Sequence, residues 1–451
     1  MKSFILIFVV LIMTSCSFDN KTGIWKDASS IPVNDQVVKS VNENDSVRRY
    51  ENIFIQDKPF NKEKAKPDNY VFKVDSPIQN QNWLEQYGSK TNNISNFSYS
   101  GNNILLSKSS KLSKLTSSKN IIFHKNILIG YDQKGRIFFY SLNNKQKEFE
   151  YDFYKKSFKN FKKVLYLTTS EDILYAADNL GYIYAIDIYN KTLVWAKNYG
   201  VPFRSNLKVV DGQILLANQD NVIYSINVKT GDKNWQFATS LTFLKSDFNN
   251  SFAIDEINKN LFFLNTSGEL YSINYETQNI NWVLNFKNPA LAGDTDLFLS
   301  QPIVLKNKNL IISTEKSIIN FDFYKGSKKW GFPSNTIIKP ILTADYTFIL
   351  SKNNLLICIE NMTGDVIWSK NIYNNLDKKF KKKIGEFYDF KVVNGELYLF
   401  TNNGFLLSYS YNDGNLKFIK KISKKGITSE VVFIQDSMFL IDAKNKLLKF
   451  N

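Results

Sequence analysis

A chain of 451 residues with 36 phenylalanines, 24 tyrosines and 43% hydrophobic residues carries enough apolar side chain for one large core or several ordinary ones. Its charged fraction of 22% is too low for a disordered polyelectrolyte, and a formal charge of +16 implies a basic surface or an anionic neighbour. Two cysteines and one histidine exclude a CxxC zinc centre and a disulfide framework and argue against a His-based metal site or a Ser-His-Asp triad, so no cofactor, metal or catalytic residue is expected.

The chain opens with Lys2, ten apolar residues from Phe4 to Met13, and then Thr14, Ser15 and Cys16. The run is far short of the about 20 residues that cross a bilayer as a helix. A basic start, an apolar stretch and small residues before a cut describe a secretion signal. With Cys directly after the small residues it resembles a bacterial lipoprotein signal. That resemblance implies a signal peptide over residues 1–15, lipidation of Cys16, and anchoring to a membrane surface. Met13 departs from the more usual Leu, and ordinary secretion with an incidental Cys is the alternative. Ser17 follows the Cys where Asp would mark retention, which by the same resemblance implies the outer membrane.

Residues 16–80 are rich in Asn, Asp, Lys, Ser and Val and are interrupted by Pro32, Pro59, Pro67 and Pro77. No period is sustained, so an extended tether is expected, with a short strand or helix near residues 50–55. Trp25 is the largest apolar side chain near the anchor. It suits a membrane interface, a partner or loose packing on the body.

Beyond residue 80 a four-residue tag recurs: aromatic or aliphatic, small, aliphatic, then Asn or Asp. Clear copies end at Asn143, Asp187, Asn227 and Asn274, and weaker ones at Asp322, Glu360, Ser410 and Asn451. Their fourth positions lie 44, 40, 47, 48, 38, 50 and 41 residues apart. Eight residues after each of the first seven stands an aromatic: Tyr151, Trp195, Trp235, Trp282, Trp330, Trp368 and Phe418. Thr-Gly or Lys-Gly often fills the intervening turn, where Gly permits positive φ and Asn or Asp caps through its side chain. A period in the forties with several short strands per unit predicts an all-β, eight-bladed β-propeller. In it the tag's small residue lets neighbouring sheets approach, and the five tryptophans brace blade to blade. The eighth tag stops at Asn451, so its missing strand is expected from residues 103–107, pairing the two ends of the body. Cys358 fills a tag's small slot and should be a buried thiol without chemistry.

The tag, the Thr-Gly turn and the Trp resemble the quinoprotein-like (PQQ-like) repeat, best at residues 181–195 and 221–235. Joined to the lipoprotein signal, they make residues 81–451 resemble the BamB family, lipoprotein propellers of the outer-membrane β-barrel assembly machinery. The resemblance implies a non-catalytic scaffold. Its implied partners are the periplasmic domains of the central, BamA-like barrel-inserting subunit, the membrane through the anchor, and unfolded outer-membrane clients.

Two loops carry the implied contacts. After Trp235 comes Ser240-Leu241-Thr242-Phe243-Leu244-Lys245, similar to a Ser-Leu-Ser-Leu-Arg loop of the family. It offers Leu241 and Phe243 as apolar anchors and Lys245 in place of Arg, with Leu244 an extra residue and no bidentate fork. After Trp282 comes Asp294-Thr295-Asp296, similar to a second docking loop, with Pro302 further off than in the family pattern. Two basic stretches, residues 378–383 and the lysines 155, 156, 159, 162 and 163, are expected as solvated loops; lipid or acidic protein is the sharper reading. Export argues against nucleic acid. Another periplasmic propeller adaptor or ligand-binding lipoprotein is the alternative. A quinone dehydrogenase fits less well without an adjacent Cys pair.

Overall fold

The computed structural model describes residues 58–154, 158, 161–242, 251–286, 298–374 and 376–451, with the backbone of two short strands nearer the N-terminus. The chain divides into two units, residues 1–48 and 49–451. In the first, Cys16–Asp19 pairs antiparallel with Ile24–Asp27, with Phe18 opposite Trp25.

In the second, eight four-stranded antiparallel sheets form a β-propeller. Blades 1 to 7 are residues 122–151, 165–198, 208–238, 251–285, 304–332, 341–371 and 387–421, each built from consecutive strands, here lettered a to d. Blade 8 takes strands a to c from residues 432–450 and strand d, Leu105–Lys111, from ahead of blade 1. Strand d pairs with Lys446–Phe450 as the repeat count requires, setting Leu105 opposite Phe450 and Ser107 opposite Lys449. The a strands of blades 1 to 7 approach one another in succession, so they line the axis and the d strands form the rim.

A four-stranded sheet with two apolar faces buries them only against neighbours, and the core is divided accordingly. Among the described residues it forms seven clusters. Six lie between successive blades from 1 to 7, and the seventh joins blades 7, 8 and 1 around the ring closure. Tyr184 and Ile186 face blade 1, whereas Ala185 faces blade 3 beside Trp195, its cross-strand partner. The same pairing recurs as Ser225–Trp235, Ser272–Trp282, Asn320–Trp330, Cys358–Trp368 and Ser408–Phe418.

Blade 1 corrects the first tag. Its cross-strand pair is Phe139–Phe149, so the tag is Phe138-Phe139-Tyr140-Ser141, two residues earlier than the spacing suggests, and the brace is Phe149 rather than Tyr151. Alternating aromatics on both strands made the two registers look alike.

One basic stretch, and one lysine of the other, also differ from expectation. Residues 378–383 belong to a short helix, Lys378–Ile384, capped by Asp377, whose side chain accepts from the Lys379 amide. Lysines 381 to 383 sit in the last turn, where the helix dipole favours cations. Phe380 and Ile384, one turn apart, pack into the cluster between blades 6 and 7. Lys163 is buried, its ammonium bonded to the Phe158 carbonyl and 5.0 Å from the Tyr154 ring centroid. Of the other four, 155, 156 and 159 lie outside the described residues.

Candidate partner-docking surface

The first docking loop leaves strand d of blade 3, Lys233–Ala238, and its base is pinned. Thr239 Oγ1 donates to the Asn221 carbonyl at 2.8 Å, and Ser240 Oγ donates to Glu269 Oε1 at 2.8 Å. Asn221 Nδ2 holds the Ser240 carbonyl at 2.8 Å, and the Thr242 and Thr266 hydroxyls lie 3.0 Å apart. Thr242 is buried while Leu241 between them is 67% exposed. An apolar side chain held outward on a hydrogen-bonded base has little conformational entropy left to lose on docking.

The second loop leaves the same place. Its flanking residues return to the b–c hairpin of blade 4, residues 265–269: the Phe286 amide donates to the Gly268 carbonyl at 2.8 Å, and Phe298 to Thr266 at 3.1 Å. The two ring centroids lie 5.8 Å apart, with the planes tilted by 30°. One hairpin thus gathers the bases of both loops. Asn265 keeps it rigid, its Oδ1 accepting from the Ser267 and Glu269 amides at 3.1 and 2.8 Å. Phe243, Lys245, Asp294 and Asp296 lie outside the described residues.

The axis holds what the repeat count did not signal. Residues 82–99 run between the a strands and reach every blade. Trp83 exchanges two 2.8 Å backbone bonds with Phe123 of blade 1, and the Leu84 carbonyl accepts from Thr169 of blade 2 at 2.8 Å. Glu85 pairs at 2.7 Å with Lys208 of blade 3, and Ile254 of blade 4 donates to the Lys90 carbonyl at 2.9 Å. Asn92 Nδ2 donates to Phe252 and Ile303 at 2.6 and 3.0 Å, tying blade 4 to blade 5. Asn93 exchanges bonds of 2.7 and 3.1 Å with Leu342 of blade 6. Phe97 donates to Val392 of blade 7 at 2.8 Å, and its ring lies 5.4 Å from Phe433 of blade 8.

Two charged groups packed against this segment are buried and shifted. Desolvation, partly offset by Glu85, lowers the Lys208 ammonium to about 8. Desolvation likewise raises the Glu430 carboxyl to about 7, against the pull of Lys391 and the Trp83 indole, which donates to Glu430 at 3.3 Å. Residues 58–80 form no helix or regular strand, and they pack on the body. Phe60 lies 5.1 Å from Phe332, Lys64 bridges Ser369 on the rim of blade 6, and Asp75 pairs with Lys306 at 2.9 Å.

Among the described residues no group of three His, Cys, Asp or Glu side chains is placed to hold a metal ion. His124 is buried, its Nε2 3.0 Å from Asp172. Cys358 is buried opposite Trp368, and desolvation raises its thiol well above the usual range, as suits an inert thiol.

Repeat, ring and closure define an eight-bladed propeller of PQQ-like repeats. A family model described as outer membrane protein assembly factor BamB matches residues 157–370. The chain is 19% identical over 252 residues to outer membrane protein assembly factor BamB of Yersinia pestis, a match spanning 53% of this chain and only 58% of that protein. Over those residues this chain is similar to BamB, and its fold is a β-propeller. The crystal structure of BamB from Moraxella catarrhalis aligns at a TM-score of 0.60 and 12% identity, covering 77% of this chain and 99% of that one. The quinohemoprotein alcohol dehydrogenase of Comamonas testosteroni aligns at 0.61 and 9%, covering 82% and 80%. Likeness at such identities establishes the fold alone.

Proposed function

We propose that this chain is a non-catalytic scaffold subunit of the outer-membrane β-barrel assembly machinery. In this reading residues 1–15 are a signal peptide, lipid on Cys16 anchors the chain to the periplasmic face of the outer membrane, residues 16–80 tether it, and residues 81–451 form the propeller. The propeller docks the periplasmic domains of the central barrel-inserting subunit and so assists insertion of outer-membrane proteins. Leu241 and Phe243 act as apolar anchors, with Lys245, Asp294 and Asp296 as polar contacts.

The observation that carries the reading is the shared hairpin, residues 265–269, which holds the bases of both loops together and leaves Leu241 outward. A protruding apolar anchor over a rigid polar base is how interface hot spots are built. Filling of the axis by residues 82–99 favours a scaffold over a cofactor enzyme, because it takes up the concave space that eight sheets enclose.

The test is affinity capture of the chain from solubilised membranes. Recovery of the barrel-assembly subunits, lost with Leu241→Arg and Asp294→Lys, supports the scaffold. Capture of an unrelated envelope protein instead, unaffected by both changes, assigns a different adaptor role. Dye-linked dehydrogenase activity in the purified chain overturns the non-catalytic reading.

A further inference from the structure

The interface between blades 8 and 1 differs from its neighbours in one side chain. At four other interfaces the residue opposite the tag's small position reaches into the next blade and covers its c–d turn. Trp195 Nε1 donates to the Val228 carbonyl at 3.0 Å, Trp282 to Phe323 at 3.1 Å, Trp330 to Asn361 at 2.8 Å and Trp368 to Tyr411 at 3.2 Å. Each acceptor is the first residue after its tag.

In blade 8 the same register puts Ser107 at the brace position, opposite Lys449. Facing it in blade 1 are Leu142, in the place of Val228, and the turn residue Lys145, at φ 54°. The space is a cavity of about 310 Å³ walled by Ser107, Tyr140, Leu142, Lys145, Phe439 and Leu447. That is the low end of pockets that hold ligands, about 300 Å³ upward. At its rim Leu105 and the 56% exposed Leu106 extend the apolar surface. Its lining also holds Lys449 and Lys108, the latter paired at 2.7 Å with Asp442, and no carboxylate stands in the lining itself.

We propose that this cavity receives an aromatic side chain, an indole by preference, from an extended acidic segment of a partner polypeptide lying along strand Leu105–Lys111. The chain's own braces supply the template: an indole flat on a c–d turn, its Nε1 donating to the carbonyl after the tag. The Cβ of Lys145 is no bar to this, since Gln278, at the same position of the turn in blade 4, also takes a positive φ, and Trp235 packs on the apolar cluster between blades 3 and 4. The lysines select acidic flanks, and the leucines cover the backbone on either side of the ring. The site is independent of the docking loops of blades 3 and 4.

The experiment titrates the full chain with an acetylated, amidated peptide, Asp-Val-Trp-Val-Asp, carrying 5-fluorotryptophan and followed by fluorine NMR. Saturable broadening of the fluorine line is expected, with binding at least about tenfold weaker for the same peptide carrying Lys in place of Asp, or on Ser107→Trp, which installs the missing brace. Ser107→Trp should also raise the melting temperature, which shows that the new indole is seated. If that variant fails to fold, Leu106→Asp at the exposed rim should weaken binding in the same sense. Unchanged affinity in a folded Ser107→Trp or Leu106→Asp chain, or equal binding of a peptide with Ala for Trp, overturns the proposal. A gain in affinity on Trp25→Ala assigns the cavity to the chain's own indole and overturns an external partner.

Discussion

Trp330, between blades 5 and 6, and Asn92, on the axis, each tie one sheet to the next, by opposite means. Trp330 lays an indole on the turn of blade 6, 2.6 Å from where a Cβ on Gly364 would stand, and donates one hydrogen bond. Asn92 buries almost no apolar surface. Its amide fills the gap between two a strands and satisfies the carbonyls of Phe252 and Ile303. At the blade interfaces area burial dominates, and the device can be copied round the ring because every sheet presents the same face. On the axis eight strand edges converge, each with backbone groups that need partners. A single segment meets all eight, by hydrogen bonds or an ion pair at blades 1 to 7 and by the Phe97 ring at blade 8. The braces vary with the turn of the next blade: Trp195, Trp282, Trp330 and Trp368 meet glycine turns and are buried, whereas the turns of blades 4 and 2 carry Gln278 and Lys191 at the glycine's position, and Trp235 and Phe149 are half-buried.

Removing the last eight residues should have the largest effect. It strips strand Lys446–Phe450 from between its two neighbours in blade 8, and the melting curve should lose its cooperative transition. A truncated chain that melts as before would show that the axial segment closes the ring without help from the blade.

Next come the single residues. Glu85→Gln leaves the fully buried Lys208 ammonium without its ion partner and should cost about 3–5 kcal/mol by denaturant unfolding. Glu85→Leu with Lys208→Met should recover most of the loss. Trp368→Ala, at a fully buried brace, should also cost about 3–5 kcal/mol, and Trp235→Ala clearly less. Equal losses would break the link between the turn glycine and the brace.

A smaller effect separates the axis by pH. Glu430 holds its proton up to about 7 when folded, against 4.5 for an ordinary carboxyl, so the folded state binds more protons between those values. Its contribution is fully present below pH 4.5 and is lost as pH rises through 7. Glu430→Gln should flatten that part of the stability profile, and a brace variant should leave it unchanged. Smallest of all, Leu241→Arg should shift stability by no more than about 0.5 kcal/mol while abolishing capture of the partner.

The docking surface was legible only in outline. Residues 240–245 and 294–296 break the repeat, and breaks in a repeat can be found by eye. That Asn221, Asn265 and Glu269 hold the loop base could not be found so, because nothing in their spacing marks them as hydrogen-bond partners across the b–c turns. One signal was available: Asp178, Asn218, Asn265 and Asp442 each stand four residues before the start of strand c and cap its first amide.

The sequence by itself determined the period, the number of blades, four of the buried braces and the origin of the closing strand. These follow from local alternation and a repeated interface, and any copy of such an interface repeats its residue types. Only the tertiary structure decided the contents of the axis, the two-residue register of the first tag, the helix at Lys378–Ile384 and the unbraced face at Ser107. Residues 82–99 occur once, carry no period, and take their conformation from eight strand edges that exist only after the ring has closed. Ser107 reads as an unremarkable residue until strand pairing sets it opposite Lys449, where seven other sheets hold an aromatic ring.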